Sequence, residues 1–217
     1  PSTPTLYNLL VRVLDKEGNV IDGYRRRIGI RSIEFKGKDG FYLNGRPYGK
    51  PLIGANRHQD FAVVGNAVAN SIHWRDAKKL KDVGMEIIRN AHCPQDPAFM
   101  DACDELGLFV IVNTPGWQFW NDAPEFAQRV YSDIRNVVRR DRNHPSIILW
   151  SVGNEVGEQY TGEAGAAIAR RLHAIVHAED PTRPATAAMN YASPEMPLPA
   201  ALDVISLNYQ GEGIRDT

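Results

Sequence analysis

Short apolar runs alternate with amphipathic helical segments through most of this chain, and that alternation limits the folds open to it. Six apolar runs predict strands, and several of the stretches between them carry hydrophobic residues at helical spacing. The predicted strands are 52–55, 85–88, 108–112, 147–152, 184–189 and 204–207, and the predicted helices are 71–83, 97–106, 124–140 and 163–177. Near-continuous apolar strands that alternate with helices indicate a parallel sheet covered on both faces.

A parallel sheet of this kind is either doubly wound or closed into a barrel. No glycine-rich phosphate loop follows any predicted strand, which removes the usual dinucleotide-binding interpretation. Polar and aromatic residues follow the strands instead, at 56–58, 89–92, 113–120, 154–155 and 208–209. Because barrel enzymes build their active sites at the C-terminal ends of the strands, we predict a (β/α)8 TIM-type barrel with about six of the eight units present.

The first 36 residues have a different pattern. Residues 6–14 form an apolar, β-branched run, a turn follows at 15–19, a strand resumes at 20–21, and residues 27–35 alternate as one strand would. This segment is too short to bury a core by itself. We interpret 1–36 as the end of a β-sandwich domain and 37–217 as the partial barrel.

Composition excludes several classes of function. The net charge of −1 gives no field that would attract nucleic acid or an anionic membrane, and no apolar run reaches the length of a membrane span. Two cysteines form neither a disulfide framework nor a metal cluster. The first residues do not read as a signal peptide, but a secreted protein after processing would look the same. Localisation therefore stays open between periplasmic or secreted and cytoplasmic, in a bacterium.

The strongest chemical signal is Asn154-Glu155, which directly follows the apolar run 147–153. A carboxylate at the end of a barrel strand can reach a bound sugar, and the adjacent amide can hydrogen-bond the 2-hydroxyl of that sugar. The dipeptide alone is a weak signal, and its position after this run makes it specific.

Ordered motifs surround this signal: residues 29–35, residues 41–47, Gly54-Ala55-Asn56-Arg57-His58, Ile88-Arg89-Asn90-Ala91-His92-Cys93-Pro94, residues 101–108, and residues 142–146 ahead of the Asn-Glu strand. Together they resemble glycoside hydrolase family 2, the family of β-galactosidases and β-glucuronidases. Residues 29–35 resemble the join from the immunoglobulin-like domain of that family into its barrel, and residues 41–47 resemble the entry to its first barrel strand. Cys93 stands where the family usually has Tyr.

The resemblance implies a retaining mechanism with two carboxylates, in which Glu155 matches the general acid/base. Such an acid must stay protonated near neutral pH, which requires burial or a neighbouring negative charge. The family's nucleophile follows strand seven, and the sequence ends at Thr217 soon after the sixth predicted strand. We therefore expect the nucleophile beyond the chain end, set Glu212 aside as too early, and expect the isolated chain to be inactive.

The resemblance also implies the substrate-binding residues. His58 and His92 match histidines that contact the sugar, and Arg89 matches an arginine that supports the nucleophile. Asn208 and Tyr209 match the end of strand six, where the Tyr hydroxyl can touch the nucleophile. For each of these a purely structural role stays open as the alternative.

The loop after the third strand is expected to provide a wall of the sugar site. Of its aromatic residues we favour Trp117, as an exposed ring that stacks on a sugar face, against the alternative of a loop that packs on itself. Some family members hold magnesium with acids here, but Asn113 and Thr114 are neutral and poor ligands for a hard cation. We predict no metal and no cofactor.

One pair of histidines on a predicted helix resembles part of a metal motif. His173 and His177 are spaced i, i+4, but the Glu of a zinc protease is replaced by Ala174, so we interpret them as surface or half-buried helix residues.

The predicted function is a retaining exo-β-glycosidase, β-galactosidase-like, that hydrolyses terminal β-linked sugars. The alternatives are a β-glucuronidase of the same family, or an inactive or engineered barrel fragment that only binds sugar or needs completion. The expected partner is a carbohydrate, with no nucleic acid and no membrane, and a homo-oligomer or a complementing barrel segment stays open.

Overall fold

The computed structural model describes residues 3–115 and 117–211. Within those residues the strands are β1 (Tyr7–Leu14), β2 (Val20–Ile28), β3 (Ile33–Phe35), β4 (Phe41–Leu43), β5 (Arg46–Pro47), β6 (Gly54–Arg57), β7 (Ile87–Asn90), β8 (Phe109–Asn113), β9 (Ile147–Asn154), β10 (Ala185–Met189) and β11 (Val204–Leu207). The α-helices are α1 (Asn70–Asp82), α2 (Pro97–Leu106), α3 (Pro124–Asp141) and α4 (Glu163–Glu179).

Strands β6 to β11 form one parallel sheet in which each strand pairs with the next strand along the chain. Helices α1 to α4 connect its first five strands, and a short 3-10 turn at Pro199–Ala201 precedes β11. Sequential parallel strands with helical crossovers are the architecture of a (β/α)8 barrel. The described residues include six strands and four crossover helices of such a barrel, which confirms the predicted fold class.

The core lies between this sheet and the helices. Seven of the eight residues of β9 are buried, so this strand has apolar neighbours on both of its faces. Helix α3 buries Val130, Ile134 and Val138 at i, i+4 and i+8, as its hydrophobic spacing predicts. The buried face of α3 thereby anchors the helix that leads directly into β9.

Helix α2 shows how local sequence sets its ends. The Asp96 side chain accepts a hydrogen bond from the Ala98 N–H at 2.8 Å, and Pro97 occupies the first helical position, where no donor is needed. Gly107 ends the helix in the left-handed conformation at φ +68°. The predicted bounds 97–106 are confirmed at both ends.

Strands β6 and β7 lie two residues later than the predicted 52–55 and 85–88. Apolar runs mark the buried part of a strand, whereas β6 and β7 continue into the polar residues Asn56-Arg57 and Arg89-Asn90. At the start of β6, a Cβ on Gly54 would lie 1.7 Å from the Ile87 carbonyl oxygen, so the close approach of the two strands requires glycine.

The alternating residues 27–35 belong to two strands, because β2 ends at Ile28 and β3 begins at Ile33. Between them, Gly29 packs so closely on Pro145 that an added Cβ would lie 2.6 Å from its ring. Arg31 then donates to the Pro145 carbonyl at 2.8 Å and also to the Ile147 carbonyl. Burial lowers the pKa of Arg31 to about 10, with nearby Arg183 adding to that effect.

Strands β1 and β2 form an antiparallel hairpin, and β3, β4 and β5 form a separate small sheet. The division of the chain at residue 36 stays a prediction; β3 on one side of it pairs with β4 on the other. Among the described residues, no helix has the length and apolar character needed to cross a membrane.

Candidate active site

Glu155 directly follows β9 at the C-terminal rim of the sheet. Its backbone has φ +48°, a left-handed conformation that is uncommon for residues other than glycine and often marks functional sites. The Glu155 N–H donates to the Ala188 carbonyl of β10 at 2.7 Å, which holds this turn in place. The half-buried carboxylate is therefore set at the rim by the backbone of two neighbouring strands.

Asn208 and Tyr209 follow β11 and lie next to this carboxylate. The Asn208 Nδ2 donates to Glu155 Oε1 at 2.8 Å. The hydrogen bond and the charge of Glu155 raise the pKa of Tyr209, whose side chain is otherwise exposed. The structure thus brings Asn208, Tyr209 and Glu155 together.

Arg89 at the end of β7 reaches the residue before the acid. Its Nη2 donates to Asn154 Oδ1 at 2.9 Å, which orients the amide that the resemblance assigns to the sugar's 2-hydroxyl. Burial lowers the pKa of Arg89, and the charge of Glu155 opposes that shift. An arginine remains charged in any case, so this is a fixed positive charge beside the acid.

The two predicted histidines lie together at the ends of β6 and β7. The rings of His58 and His92 meet edge to face with centroids 5.4 Å apart. Burial, Arg89 and His58 all lower the pKa of His92, so its ring is neutral at pH 7 and offers one donor and one acceptor. Its Nδ1 is buried without a hydrogen-bond partner among the described residues, a position that an ordered water or a ligand hydroxyl satisfies.

Comparisons with known proteins identify the family of this chain. Residues 33–214 match the model for the TIM barrel domain of glycosyl hydrolases family 2, and residues 1–31 match a further model for the same family. The chain belongs to glycosyl hydrolase family 2. This confirms the family inferred from the motifs.

The relatives of this family 2 chain include both β-galactosidases and β-glucuronidases. It is 36% identical to a β-galactosidase from Thermoanaerobacter pseudethanolicus over 85% of the chain and 24% of that protein. It is 33% identical to a β-glucuronidase from Bacteroides fragilis over 86% of the chain and 27% of that protein. The chain thus spans about a quarter of the length of these relatives.

Solved structures of family 2 share the fold. A family 2 member from Bacteroides cellulosilyticus superposes with a TM-score of 0.86 at 34% identity, over 98% of this chain and 28% of that one. A β-glucuronidase from Bacteroides uniformis has the same TM-score at 32% identity, over 95% of this chain and 26% of that one.

In the loop after β8, the tryptophan that was expected to be exposed is buried. Trp117 is only 2% exposed, because its ring packs on Gly153 of β9, where an added Cβ would lie 2.8 Å from the ring. Its carbonyl accepts from the Asn154 N–H at 3.1 Å. Trp117 still lines a cavity of about 200 Å³ together with His92, Asn113 and Asn154, whereas Phe119 is the exposed aromatic of this loop.

Sequence reasoning missed Glu158, which holds this loop. One oxygen of its carboxylate accepts from Trp117 Nε1 at 3.2 Å, and the other accepts from the Trp120 backbone N–H at 2.9 Å. Glu158 lies in a short 3-10 turn after Glu155, at a position with no motif of its own. Its role becomes visible only when the loop after β8 folds against the turn after β9.

A second cavity, of about 860 Å³, lies at the other end of the sheet. It is lined by residues of the N-terminal strands and of the barrel bottom, including Tyr7, Arg31, Tyr48 and Glu86. Barrel enzymes carry their chemistry at the C-terminal ends of the strands, and the smaller cavity, which Asn154 lines, lies at that end.

The place where some family members hold magnesium has neutral side chains here. Asn113 and Thr114 are buried, and the Thr114 hydroxyl donates to the Ser151 carbonyl at 3.3 Å. Glu212, set aside as a nucleophile, lies outside the described residues.

Proposed function

We propose that the protein containing this chain is a retaining exo-β-glycosidase of the β-galactosidase type, with Glu155 as its general acid/base. One observation carries the proposal: a carboxylate at the end of β9 is held by Asn208 and flanked by the Arg89–Asn154 pair. Acid/base catalysis requires a positioned carboxyl group at the face from which the leaving group departs.

The proposed reaction has two steps. In the first, a second carboxylate bonds to the anomeric carbon while the bond from that carbon to the glycosidic oxygen breaks, and Glu155 gives its proton to that oxygen so that the aglycone leaves as an alcohol. In the second, the Glu155 carboxylate takes a proton from water, which attacks that carbon and releases the sugar with retained configuration. Glu155 is protonated again at the end, so the cycle is closed.

The neighbours of Glu155 have distinct proposed roles. The Asn154 amide, oriented by Arg89, donates to the sugar's 2-hydroxyl, and the remaining N–H groups of Arg89 are free to support the nucleophile's carboxylate. The Tyr209 hydroxyl lies next to Glu155, and its proposed role is a hydrogen bond to the nucleophile's carboxylate. His58 and His92 bind hydroxyls of the terminal sugar, and Trp117 forms a wall of its pocket.

The substrate is tested with matched aryl glycosides on a protein that includes this chain and a closed barrel. We expect the β-galactoside to be cleaved at least about tenfold faster, in kcat/KM, than the β-glucuronide, a difference of about 1.4 kcal/mol. Faster cleavage of the β-glucuronide would favour the alternative that the Bacteroides fragilis relative's name suggests. No cleavage of either would contradict the proposal.

Glu158→Gln tests the support of the loop. An amide has only one oxygen to accept from the two N–H groups that Glu158 now binds, so either Trp117 or Trp120 loses its partner. We expect kcat/KM to fall about tenfold, which corresponds to about 1.4 kcal/mol, with most of the change in KM. Steady-state kinetics on the aryl glycoside measures both constants.

Glu163→Gln is the matched control, because Glu163 lies close by at the start of α4 and its side chain is exposed. That variant should keep the wild-type kcat and KM. Equal constants for Glu158→Gln and wild type would mean that the carboxylate does not position the loop.

A further inference from the structure

Three potential metal ligands meet on the side of the molecule away from Glu155. His173 and His177 lie one turn apart on α4, and Asp203 immediately precedes β11. Asp203 is therefore at the N-terminal end of that strand, whereas Asn208 and Tyr209 are at its active-site end. Nothing in the catalytic proposal uses these three side chains.

The distances among them are those of a ligand set. His173 Nε2 lies 3.0 Å from Asp203 Oδ1, and His177 Nε2 lies 2.8 Å from Asp203 Oδ2. All three ligand atoms lie within 4.8 Å of one another. An ion that binds its ligands at about 2.1 Å separates neighbouring ligand atoms by about 3.0–3.4 Å, from a right-angle to a tetrahedral arrangement. The two His–Asp distances therefore need to change by only a few tenths of an ångström.

We propose that His173, His177 and Asp203 bind one divalent transition-metal ion of the zinc class. Two imidazoles and one carboxylate are ligands that suit Zn²⁺, Ni²⁺ or Cu²⁺ and do not suit Mg²⁺ or Ca²⁺, which prefer oxygen ligands. The sequence pattern shows only that His173 and His177 share one face of a helix, and it therefore predicts plain helix residues. Asp203 comes from 26 residues further along the chain than His177 and enters only through the fold.

The Asp203 carboxylate is held in place by the backbone before any ion binds. Asp203 Oδ2 accepts from the Ala185 backbone N–H at 2.7 Å, which holds it at the start of β10. The side chains of His173, His177 and Asp203 are 28%, 32% and 34% exposed, so an ion can enter from solvent and keep waters in its remaining positions. Catalytic zinc sites in enzymes likewise have three protein ligands and keep a water in the fourth position.

Binding requires one rearrangement of protons. In the hydrogen-bonded arrangement each Nε2 carries the proton that faces Asp203, and a metal needs the lone pair of that nitrogen instead. Metal binding therefore requires that the proton on each Nε2 be released or moved to Nδ1. The bound ion would join α4 to the starts of β10 and β11.

Zinc titration by calorimetry at pH 7.5 tests the proposal on the purified protein and three variants. We expect one Zn²⁺ per chain at this site in the wild type, and an affinity at least about tenfold lower in His173→Gln and in His177→Gln, because even loss of an outer partner costs about 10–100-fold. His58→Gln is the control, since it removes an imidazole at the other end of the barrel and should keep the wild-type affinity.

Thermal unfolding provides a second readout. Free Zn²⁺ at ten times the wild-type Kd should raise the unfolding temperature of the wild type by about 3–6 °C and that of His177→Gln by no more than about 2 °C. Absence of zinc binding in the wild type would overturn the proposal. So would wild-type affinity in both helix variants, or a loss of the ion in His58→Gln, which would place it in the active site.

Discussion

Replacing Glu155 with Gln should lower kcat/KM for an alkyl β-galactoside by about 10²–10⁴-fold. An alkoxide is a poor leaving group and needs a proton in the first step, and Gln keeps the shape and the Asn208 contact of Glu155 but has no acidic proton. The measurement is steady-state kinetics on a protein that includes this chain and a closed barrel.

The same variant should lose far less activity in the first step on an aryl galactoside with an acidic phenol, because that phenolate departs without protonation. Release of the phenol should then show a fast burst followed by slow turnover, since attack by water still lacks its base. Equal losses for alkyl and aryl substrates would indicate that Glu155 is not the acid. Glu163→Gln, an exposed carboxylate on α4, should behave as wild type on both.

Arg183→Met should lower the free energy of unfolding by about 3–5 kcal/mol, because it leaves a buried carboxylate without its cation. Arg183 Nη1 donates to Asp180 Oδ2 at 2.6 Å, and both side chains are buried. Arg183 also donates to the carbonyls of His144 and Ile147 at the start of β9. Urea unfolding followed by tryptophan fluorescence measures the change.

Lys78→Met removes an exposed ion pair with Asp82 and is the control, with an expected cost below about 1 kcal/mol. The double variant Asp180→Leu/Arg183→Met should recover part of the loss, since no buried charge is left alone. A loss no larger than that of Lys78→Met would show that the buried pair adds nothing.

The pH dependence of this pair has a defined sign. Burial by itself raises the pKa of Asp180, but Thr182, Arg183 and Trp150 outweigh it and hold the pKa below its ordinary value. A lowered folded pKa stabilises the fold above the ordinary Asp pKa, about 3.9, and the stabilisation is lost as pH falls through the lowered value. The difference between Arg183→Met and wild type should therefore be full at pH 7 and shrink in acid.

The elements of the barrel were predictable because their signals are local. The Asp96-Pro97 start and the Gly107 end of α2 need only neighbouring residues to act. Strand ends were less predictable for a physical reason: the rim of the barrel is polar, so β6 and β7 extend beyond their apolar runs into Arg57 and Asn90. The break between β2 and β3 depends on Pro145, more than a hundred residues away.

The candidate site likewise contains some residues that the sequence predicts and others that only the fold reveals. Glu155, Asn154 and Arg89 stand in motifs, and the structure brings them to one rim. Glu158 has no motif, because its role depends on two N–H groups from a loop about 40 residues earlier. The burial of Trp117 likewise depends on Gly153 of another strand, and a sequence cannot show which side of a loop faces the core.

The most direct test of the central claim is the anomeric configuration of the product that Glu155→Gly forms from an activated aryl β-galactoside in the presence of azide. If Glu155 is the acid/base, its removal leaves the glycosyl-enzyme intact and opens its own face of the sugar to azide. Attack from that face inverts the covalent intermediate and gives β-galactosyl azide. Proton NMR of the product should show this β anomer, together with recovery of turnover. The α anomer would show that Glu155 is the nucleophile, and no azide product would contradict its place at the reacting carbon.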